Sequence, residues 1–123
     1  MTNPSNKKFD LEDRLIEFTC MLIDIVEAFP NTRVGNHFAS QLVRCGTSPA
    51  LNYGEAQVAE SRTDFIHKMK ICLKELKESN VIFKLIKRRN LISDLTINDK
   101  AAAECQELIS IFVKSIETAR KNK

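Results

Sequence analysis

The chain has 123 residues, of which 43% are hydrophobic and 28% charged, and its formal net charge is +3. This length suits about one domain with a core that needs neither disulfides nor a structural metal, and the composition excludes a disordered or membrane-embedded chain. Only three glycines and three prolines are available for turns, which favours a few long helices over many short strands.

The N-terminal segment, residues 1–8, is polar and is predicted to be a flexible tail. It lacks the apolar stretch of a secretory signal. No apolar run elsewhere approaches the length of a membrane span. We therefore expect a cytoplasmic location and no membrane partner.

The first predicted helix covers residues 10–29 and ends at Pro30. A second set of apolar residues beside its main seam widens the apolar surface, so that one face can fill a core while another meets a second chain. The main seam advances in alternating steps of four and three, which is typical of helix packing: Leu11, Leu15, Phe18, Leu22, Ile25 and Phe29.

The second predicted helix covers residues 36–59, although Gly46, Pro49 and Gly54 lower its helix propensity. Pro49 removes one intrahelical hydrogen bond, and we expect a kink or a local break there. The apolar stripe of this helix consists of Phe38, Leu42, Cys45, Pro49 and Ala56.

A polar line borders that stripe and consists of Arg44, Ser48, Asn52 and Glu55. These residues fall within about 80° of one another on a helix, beside the apolar face, where polar groups need partners. Arg44 and Glu55 stand roughly 16 Å apart along the axis and cannot pair directly. Their partners therefore lie on another helix, on another subunit or on a ligand.

The third predicted helix covers residues 62–89, with Ser61 and Asp64 at capping-box spacing. The fourth covers residues 98–120, with Asn98 or Asp99 as its cap. In both helices, apolar residues recur in alternating steps of four and three, as in the first helix. Four long helices with short connections predict an all-α protein, an up-down-up-down antiparallel four-helix bundle that forms a single domain over residues 1–123.

Charge is shared unevenly among these helices. The first carries six acidic residues against Arg14, whereas the third carries nine basic residues against three acidic ones. The two helices lie diagonally in such a bundle, so their charges cannot easily neutralise each other within one subunit. The basic residues that we consider for contact with a polyanion are Lys68, Lys70, Lys74, Lys77, Lys84, Lys87, Arg88 and Arg89.

This distribution leaves three interpretations open. In the first, the basic helix binds RNA, DNA or a nucleic-acid enzyme. Contact with nucleic acid would be mainly to phosphates, because a single tyrosine and no tryptophan provide no stacking platform. Alternatively, it pairs with the acidic first helix of a neighbouring subunit in a contact that can close into a ring. The third interpretation is that both faces are simply solvated, and cations at the end of the third helix complement its dipole.

Catalytic and metal-binding patterns are not indicated. No phosphate-binding glycine loop, HExxH or GxSxG motif occurs, and neither His37 nor His67 follows a glutamate at the spacing of a di-iron site. We therefore predict no catalytic residues, no metal, no cofactor and no small-molecule substrate. The cysteines lack zinc-site spacing and are expected to be small core residues in a reducing compartment: Cys20, Cys45, Cys72 and Cys105.

The polar line also carries a family resemblance. Arg44, Ser48, Asn52 and Glu55, followed by Ser61, the Asp64–Phe65 pair and the segment from Ile71 to Ser79, resemble the proteins encoded within intervening sequences of bacterial 23S ribosomal RNA genes. The likeness covers the second and third helices, about half of the chain. This chain departs from the family pattern at Gly54 and Ala56, where two small residues look exchanged, and at Lys74 and Glu75, where the family tends to have Gly-Ser.

The resemblance implies a left-handed four-helix bundle that assembles as a ring, commonly a pentamer, in a family whose molecular function is largely undefined. It also implies a fold similar to the accessory variability proteins of diversity-generating retroelements, which are basic pentamers that associate with a reverse transcriptase and nucleic acid. The matching polar positions, to which the family assigns no catalytic role, are Arg44, Ser48, Asn52, Glu55 and Glu78.

Overall fold

The computed structural model describes residues 10–122, which form four helices and no strand. They are α1 (Leu11–Ala28), α2 (Arg33–Gln57), α3 (Arg62–Arg89) and α4 (Leu95–Lys121). The prediction of an all-α, four-helix protein is confirmed. The single-domain organisation stays a prediction, and the tail assigned to residues 1–8 lies outside the described residues.

Helix ends follow capping chemistry. Asp10 caps α1 by accepting the Asp13 N–H at 3.1 Å, and Ser61 caps α3 by accepting the Asp64 N–H at 3.0 Å. The C-cap of α3 is Asn90, in the left-handed conformation with φ 51°, which asparagine tolerates better than most residues. The predicted bounds of α1 and α3 therefore agree with the structure to within one residue.

The predicted starts of the other two helices were too late. Thr32 caps α2 by accepting the Gly35 N–H at 3.0 Å, so α2 begins at Arg33 instead of residue 36. Asp94 caps α4 by accepting the Thr96 N–H at 2.9 Å, so α4 begins at Leu95. Several cap-forming residues precede each helix, and the pattern alone did not distinguish the first of them from later ones.

Two further details of α2 and α4 correct the sequence analysis. Asn98, which we expected to cap α4, lies inside the helix and is 1% exposed. Pro49 lies inside α2, which continues through it without a break in its helical conformation from Arg33 to Gln57. Proline is buried at this position. The local break that we allowed for at Pro49 is therefore not found.

The core is built from the predicted seams. Phe18 of α1 meets Phe83 of α3 edge to face, with ring centroids 6.1 Å apart, and Tyr53 of α2 meets Phe112 of α4 at the same separation. Each fully buried large apolar side chain contributes roughly 1.5–3 kcal/mol to folding. The largest fully buried apolar residues are Phe18, Phe83, Phe112, Leu15, Leu22, Ile25, Leu42, Met69, Leu76, Ile86 and Leu108.

The most extensive helix–helix packing is in the pairs α1/α2, α2/α3, α3/α4 and α1/α4. Contacts between α2 and α3 run in opposite order along the two helices. The Ser79 hydroxyl donates to Cys45 Sγ at 3.2 Å, and the Cys72 thiol donates to the Pro49 carbonyl oxygen at 3.4 Å. On α4, the Cys105 thiol donates to the Leu76 carbonyl oxygen at 3.2 Å. Small side chains thus lie where these helices approach each other.

Three of the four cysteines confirm the core prediction, and Cys20 contradicts it. Cys45, Cys72 and Cys105 are fully buried, and burial raises the pKa of the Cys72 and Cys105 thiols to about 12. Cys20 is exposed on the outer side of α1. The repeat of four and three does not pass through Cys20, which is why its position differs from that of the other three.

Gly46 of α2 lies directly against Leu22 of α1. A Cβ atom added there would overlap a methyl carbon of the buried Leu22 side chain, whereas one added at Gly54 would meet nothing within 4 Å. We expect Gly46→Ala to lower the free energy of unfolding by about 1–3 kcal/mol through overpacking. Gly54→Ala, the matched control, should raise it by about 0.5–1 kcal/mol. Urea unfolding followed by circular dichroism measures both, and equal effects would contradict this account of the α1/α2 contact.

Alkaline pH should destabilise the protein through its buried thiols. In the folded protein the Cys72 and Cys105 thiols stay protonated up to about pH 12, whereas in the unfolded chain they lose their protons near pH 9.0. The unfolded state then binds fewer protons, so stability is complete below about pH 9 and falls above it by on the order of 1 kcal/mol per pH unit and thiol. A Cys72→Ala/Cys105→Ala variant should show a shallower decline in unfolding free energy between about pH 9 and pH 11. Cys20→Ala should retain the wild-type slope.

Candidate functional site

The polar line of α2 faces α3. The Arg44 guanidinium donates to Glu75 Oε1 at 3.3 Å, to Gln41 Oε1 at 3.1 Å and to Glu78 Oε2. The negative charge of Glu78, followed by that of Glu75, raises the pKa of Arg44. Arg44 therefore has its partners on the adjacent helix and on its own helix.

The rest of the line is also paired. Lys68 Nζ of α3 donates to Glu55 Oε1 at 2.6 Å, and this hydrogen bond raises the pKa of Lys68. Asn52 Nδ2 donates to Ser48 Oγ at 2.8 Å and to the Ser48 carbonyl oxygen at 3.0 Å. Arg44 and Glu55 thus have partners on another helix, the first of the three alternatives, whereas Ser48 and Asn52 pair with each other within α2. The ion pairs of Arg44 and Glu55 link α2 to α3.

The structure divides the basic residues of α3 into two groups. Lys68 pairs with Glu55, and Lys87 pairs with Asp99 of α4 at 3.2 Å. The other six are exposed and form no ion pair with any residue from 10 to 122. At about 100° per residue, five of these six fall within an arc of about 80° on the outer side of α3. We name this set the basic stripe: Lys70, Lys74, Lys77, Lys84 and Arg88.

The basic stripe is long and straight. It extends over 18 residue steps, which corresponds to roughly 27 Å along the helix. Arg89, the sixth exposed cation, points away from it by at least about 60°. Val81 and Leu85 lie on the same outer side and are 54% and 37% exposed. The stripe therefore combines five positive charges with an apolar centre.

The acidic residues of α1 are exposed in the same way. Arg14 is the one basic residue of α1. Its Nε donates to Glu104 Oε2 of α4 at 3.0 Å, and its Nη2 donates to Glu104 Oε1 at 2.8 Å. That hydrogen bonding raises the pKa of Arg14. Among residues 10–122, no ion pair joins α1 to α3. The exposed acids are Asp10, Glu12, Asp13, Glu17, Asp24 and Glu27.

A further surface lies along the edge between α1 and α2. Ile16 and Ile23 point about 160–180° away from Arg14, whose partners are on α4, so they lie on the α2 side of α1. On α2, Val43, Leu51 and Val58 occupy the arc between the α1-facing Gly46 and the polar line, whereas the exposed Val34 points in the direction of the polar line itself. We name this set the α1/α2 apolar face: Ile16, Ile23, Val43, Leu51 and Val58, with exposures from 40% to 78%.

Sequence reasoning identified part of this surface and missed the rest. Ile16 and Ile23 belong to the second apolar set of the first helix, whereas the apolar stripe predicted for α2 does not include Leu51 and Val58, which the structure exposes. Asn98 and Asn80, which line a groove between α3 and α4, were also missed. The one sequence signal for their burial was Asn98, which stands three residues before Ala101 and so continues the apolar seam of α4.

The fold and the charged outer faces define a four-helix protein with an acidic and a basic helix. The sequence model of a family described as "23S rRNA-intervening sequence protein" matches residues 7–114 of this chain. The chain therefore belongs to this family, as the resemblance of the polar line indicated.

A solved crystal structure supports the same relationship. It is that of a protein of unknown function from the S23 ribosomal protein family of Bacteroides thetaiotaomicron VPI-5482, with a TM-score of 0.78 and 28% sequence identity. The match covers 85% of this chain and 96% of that chain. A comparison with curated proteins finds no match. In residues 10–122, no helix is long and apolar enough to cross a membrane.

Proposed function

We propose that this protein is a non-enzymatic, self-associating four-helix bundle that contacts RNA or DNA through the basic stripe of α3. The observation that carries the proposal is the alignment of five exposed cations, unpaired within residues 10–122, on one side of a single helix. A positive row of this kind attracts phosphates, and binding should release counterions. The 23S rRNA-intervening sequence family description is consistent with a genomic association with ribosomal RNA.

The proposed topology is up-down-up-down. Its support is the opposite order of the α2/α3 contacts, together with the packing of α1 on both α2 and α4. The connections between helices are four or five residues long, which favours antiparallel neighbours. This arrangement puts the acidic α1 diagonally opposite the basic α3.

The proposed oligomer forms through the α1/α2 apolar face. Five exposed large apolar side chains on one edge are unusual for a surface that meets only water. Burial of this edge against another copy would leave the basic stripe accessible. The resemblance to the family implies a ring, with a pentamer as its common size.

An alternative is a purely structural scaffold in which the acidic α1 pairs with the basic α3 of a neighbouring subunit. Ile16 and Ile23 lie among the acids of α1, whereas Val81 and Leu85 lie among the cations of α3. The two surfaces are complementary in charge, and each has an apolar centre. Such a head-to-tail contact closes into a ring when the rotation permits, and it would cover the basic stripe.

Nucleic-acid binding should depend on the stripe and on salt. We expect Lys70→Glu/Lys77→Glu to weaken binding of a random single-stranded RNA at least about tenfold. Each substitution removes the attraction between a lysine and a phosphate and puts a glutamate in its place, which repels the phosphate. The logarithm of the wild-type binding constant should fall with the logarithm of salt concentration at a slope of about −2 to −3.5, which corresponds to three to five contacts. Fluorescence anisotropy measures both quantities.

The matched control for this experiment is Lys100→Glu/Lys114→Glu, which makes the same charge change on exposed positions of α4. It should reduce binding less than about threefold, since only the overall field changes. Equal losses in the two variants, or binding that does not depend on salt, would contradict the assignment of the stripe.

Self-association should depend on the α1/α2 apolar face. We expect Ile16→Gln/Leu51→Gln to lower the mass measured by light scattering towards the 14.0 kDa of one chain, because the apolar area available for burial is removed. Val113→Gln, at a 37% exposed position of α4, should leave the mass unchanged. In the alternative, charge reversal at Lys70, Lys74 and Lys77 breaks the oligomer. A wild-type protein that has the mass of a single chain would reject both routes of assembly.

A further inference from the structure

The exposed acids of α1 include a straight row along its outer side. The members of this row recur in alternating steps of four and three, which places them within an arc of about 80° on a helix. Its acids form no ion pair with any residue from 10 to 122. The middle position is the uncharged and exposed Cys20. We name this set the acidic seam: Asp13, Glu17, Cys20, Asp24 and Glu27.

The outer side of α3 carries a row of the same length and spacing. It consists of Lys74, Lys77, Val81, Lys84 and Arg88. The middle position is again uncharged, since Val81 stands there and is 54% exposed. From Lys74 to Arg88 the steps are three, four, three and four, and the acidic seam has the same steps when α1 is read backwards. The two rows, each roughly 21 Å long, therefore coincide level by level when their helices run in opposite directions.

The antiparallel alignment brings every cation of this row to the level of an acid. It also places Val81 beside Cys20, so that neither uncharged side chain lies beside a charge. The four charge pairs are Lys74 with Glu27, Lys77 with Asp24, Lys84 with Glu17, and Arg88 with Asp13. A shift by one heptad, or a parallel alignment of the two helices, leaves at most three charge pairs. The spacing thus selects one direction and one register.

A second copy of this chain supplies the matching row. Among residues 10–122 of one chain, no ion pair joins α1 to α3, and the extensive helix contacts do not include this pair. Both rows are exposed, so each is available to another molecule. Complementary charges on two surfaces steer their encounter and fix its register.

We propose that the acidic seam of one copy docks antiparallel on the basic stripe of a second copy and competes there with nucleic acid. Exposed ion pairs contribute little each and are screened by salt, so this contact is weak and reversible. A strand in duplex DNA carries about one charge per 3.4 Å, whereas the acidic seam carries four over roughly 21 Å. Nucleic acid therefore displaces the second copy.

This docking differs from the other contacts proposed for the protein. In the up-down-up-down topology α1 and α3 run in the same direction, so an antiparallel contact inverts the second copy. A ring of subunits that all point the same way does not contain such a contact. The acidic seam also shares no residue with the α1/α2 apolar face. The competition rests on the proposed function, whereas the docking of two copies does not.

A new thiol at position 81 tests the register, because Cys20 is exposed and the other three cysteines are buried. At low salt, a short bis-maleimide should cross-link Val81→Cys into a dimer at least about fivefold faster than the wild type, since the two thiols are held at one level. Adding Cys20→Ser should abolish this gain. A gain that persists without Cys20 would overturn the proposal.

The matched control is Lys70→Cys, on the same side of α3. It lies 11 residue steps from Val81, roughly 16 Å along the helix, and faces no residue of α1 in the proposed register. All four charge pairs remain in this variant. It should cross-link no faster than the wild type. Equal rates for Val81→Cys and Lys70→Cys would overturn the register.

Charge exchange in the Val81→Cys background tests the individual pairs. Asp24→Lys or Lys77→Glu alone puts like charges opposite each other and should slow cross-linking about three- to tenfold. The two changes together restore opposite charges and should recover the rate to within about twofold. Asp24→Lys with Lys84→Glu, the matched control, makes the same charge changes at residues that do not face each other. Recovery in both double variants, or in neither, would overturn the pairing.

A random single-stranded RNA of about twelve nucleotides separates this proposal from the proposed function. Excess RNA should slow the cross-linking of Val81→Cys at least about fivefold, because both ligands need the same lysines. RNA that binds without slowing it would overturn the competition. If RNA binds but Val81→Cys gains nothing over Lys70→Cys, only the docking is rejected. If the cross-link forms in register but RNA does not bind, the docking stands, and the proposed function fails.

Discussion

The close approach of the helices at small side chains is the constraint on which the rest of this structure depends. Gly46 lies against Leu22, Ser79 donates to Cys45, and Cys72 donates to the Pro49 carbonyl oxygen. These contacts leave little freedom for one helix to slide along another, because interiors are close-packed and a shift by one turn would oppose large residues. These close contacts therefore determine which residues of each helix face outwards.

The outer faces follow from that register. The α3 side of α2 is polar, and Arg44 and Glu55 find Glu78 and Lys68 there. With those cations and carboxylates engaged, the surplus charge of the chain is left on the outer sides of α1 and α3. The α1/α2 edge, by contrast, exposes apolar groups. One chain of 123 residues thus presents an acidic, a basic and an apolar surface, and the proposals above assign partners to all three.

Much of the fold could be predicted from local patterns, and the errors have physical causes. The bounds of α3 agreed because Ser61 and Asp64 stand at capping-box spacing before its apolar repeat, and Asn90 ends the helix in the left-handed conformation. The start of α4 was misplaced because Asp94, Asn98 and Asp99 can all cap a helix, and tertiary burial decided that Asn98 lies inside. Of the candidate site, the basic residues were identified as a group. That Lys68 and Lys87 are paired while Lys70 and Lys77 are not depends on acids from other helices, which no local pattern contains.

The sequence by itself determined that this chain is helical, that four apolar seams build its core, and that α1 and α3 carry opposite charge. These properties follow from residue spacing and composition, which act within one helix. The tertiary structure alone decided which polar groups are satisfied. Arg44 pairs with Glu75 and Glu78 of α3, whereas Asn80 Oδ1 and Asn98 Oδ1 are buried without a hydrogen-bond partner among residues 10–122. Such pairings depend on how two helices are aligned, a property of packing that a one-dimensional pattern does not specify.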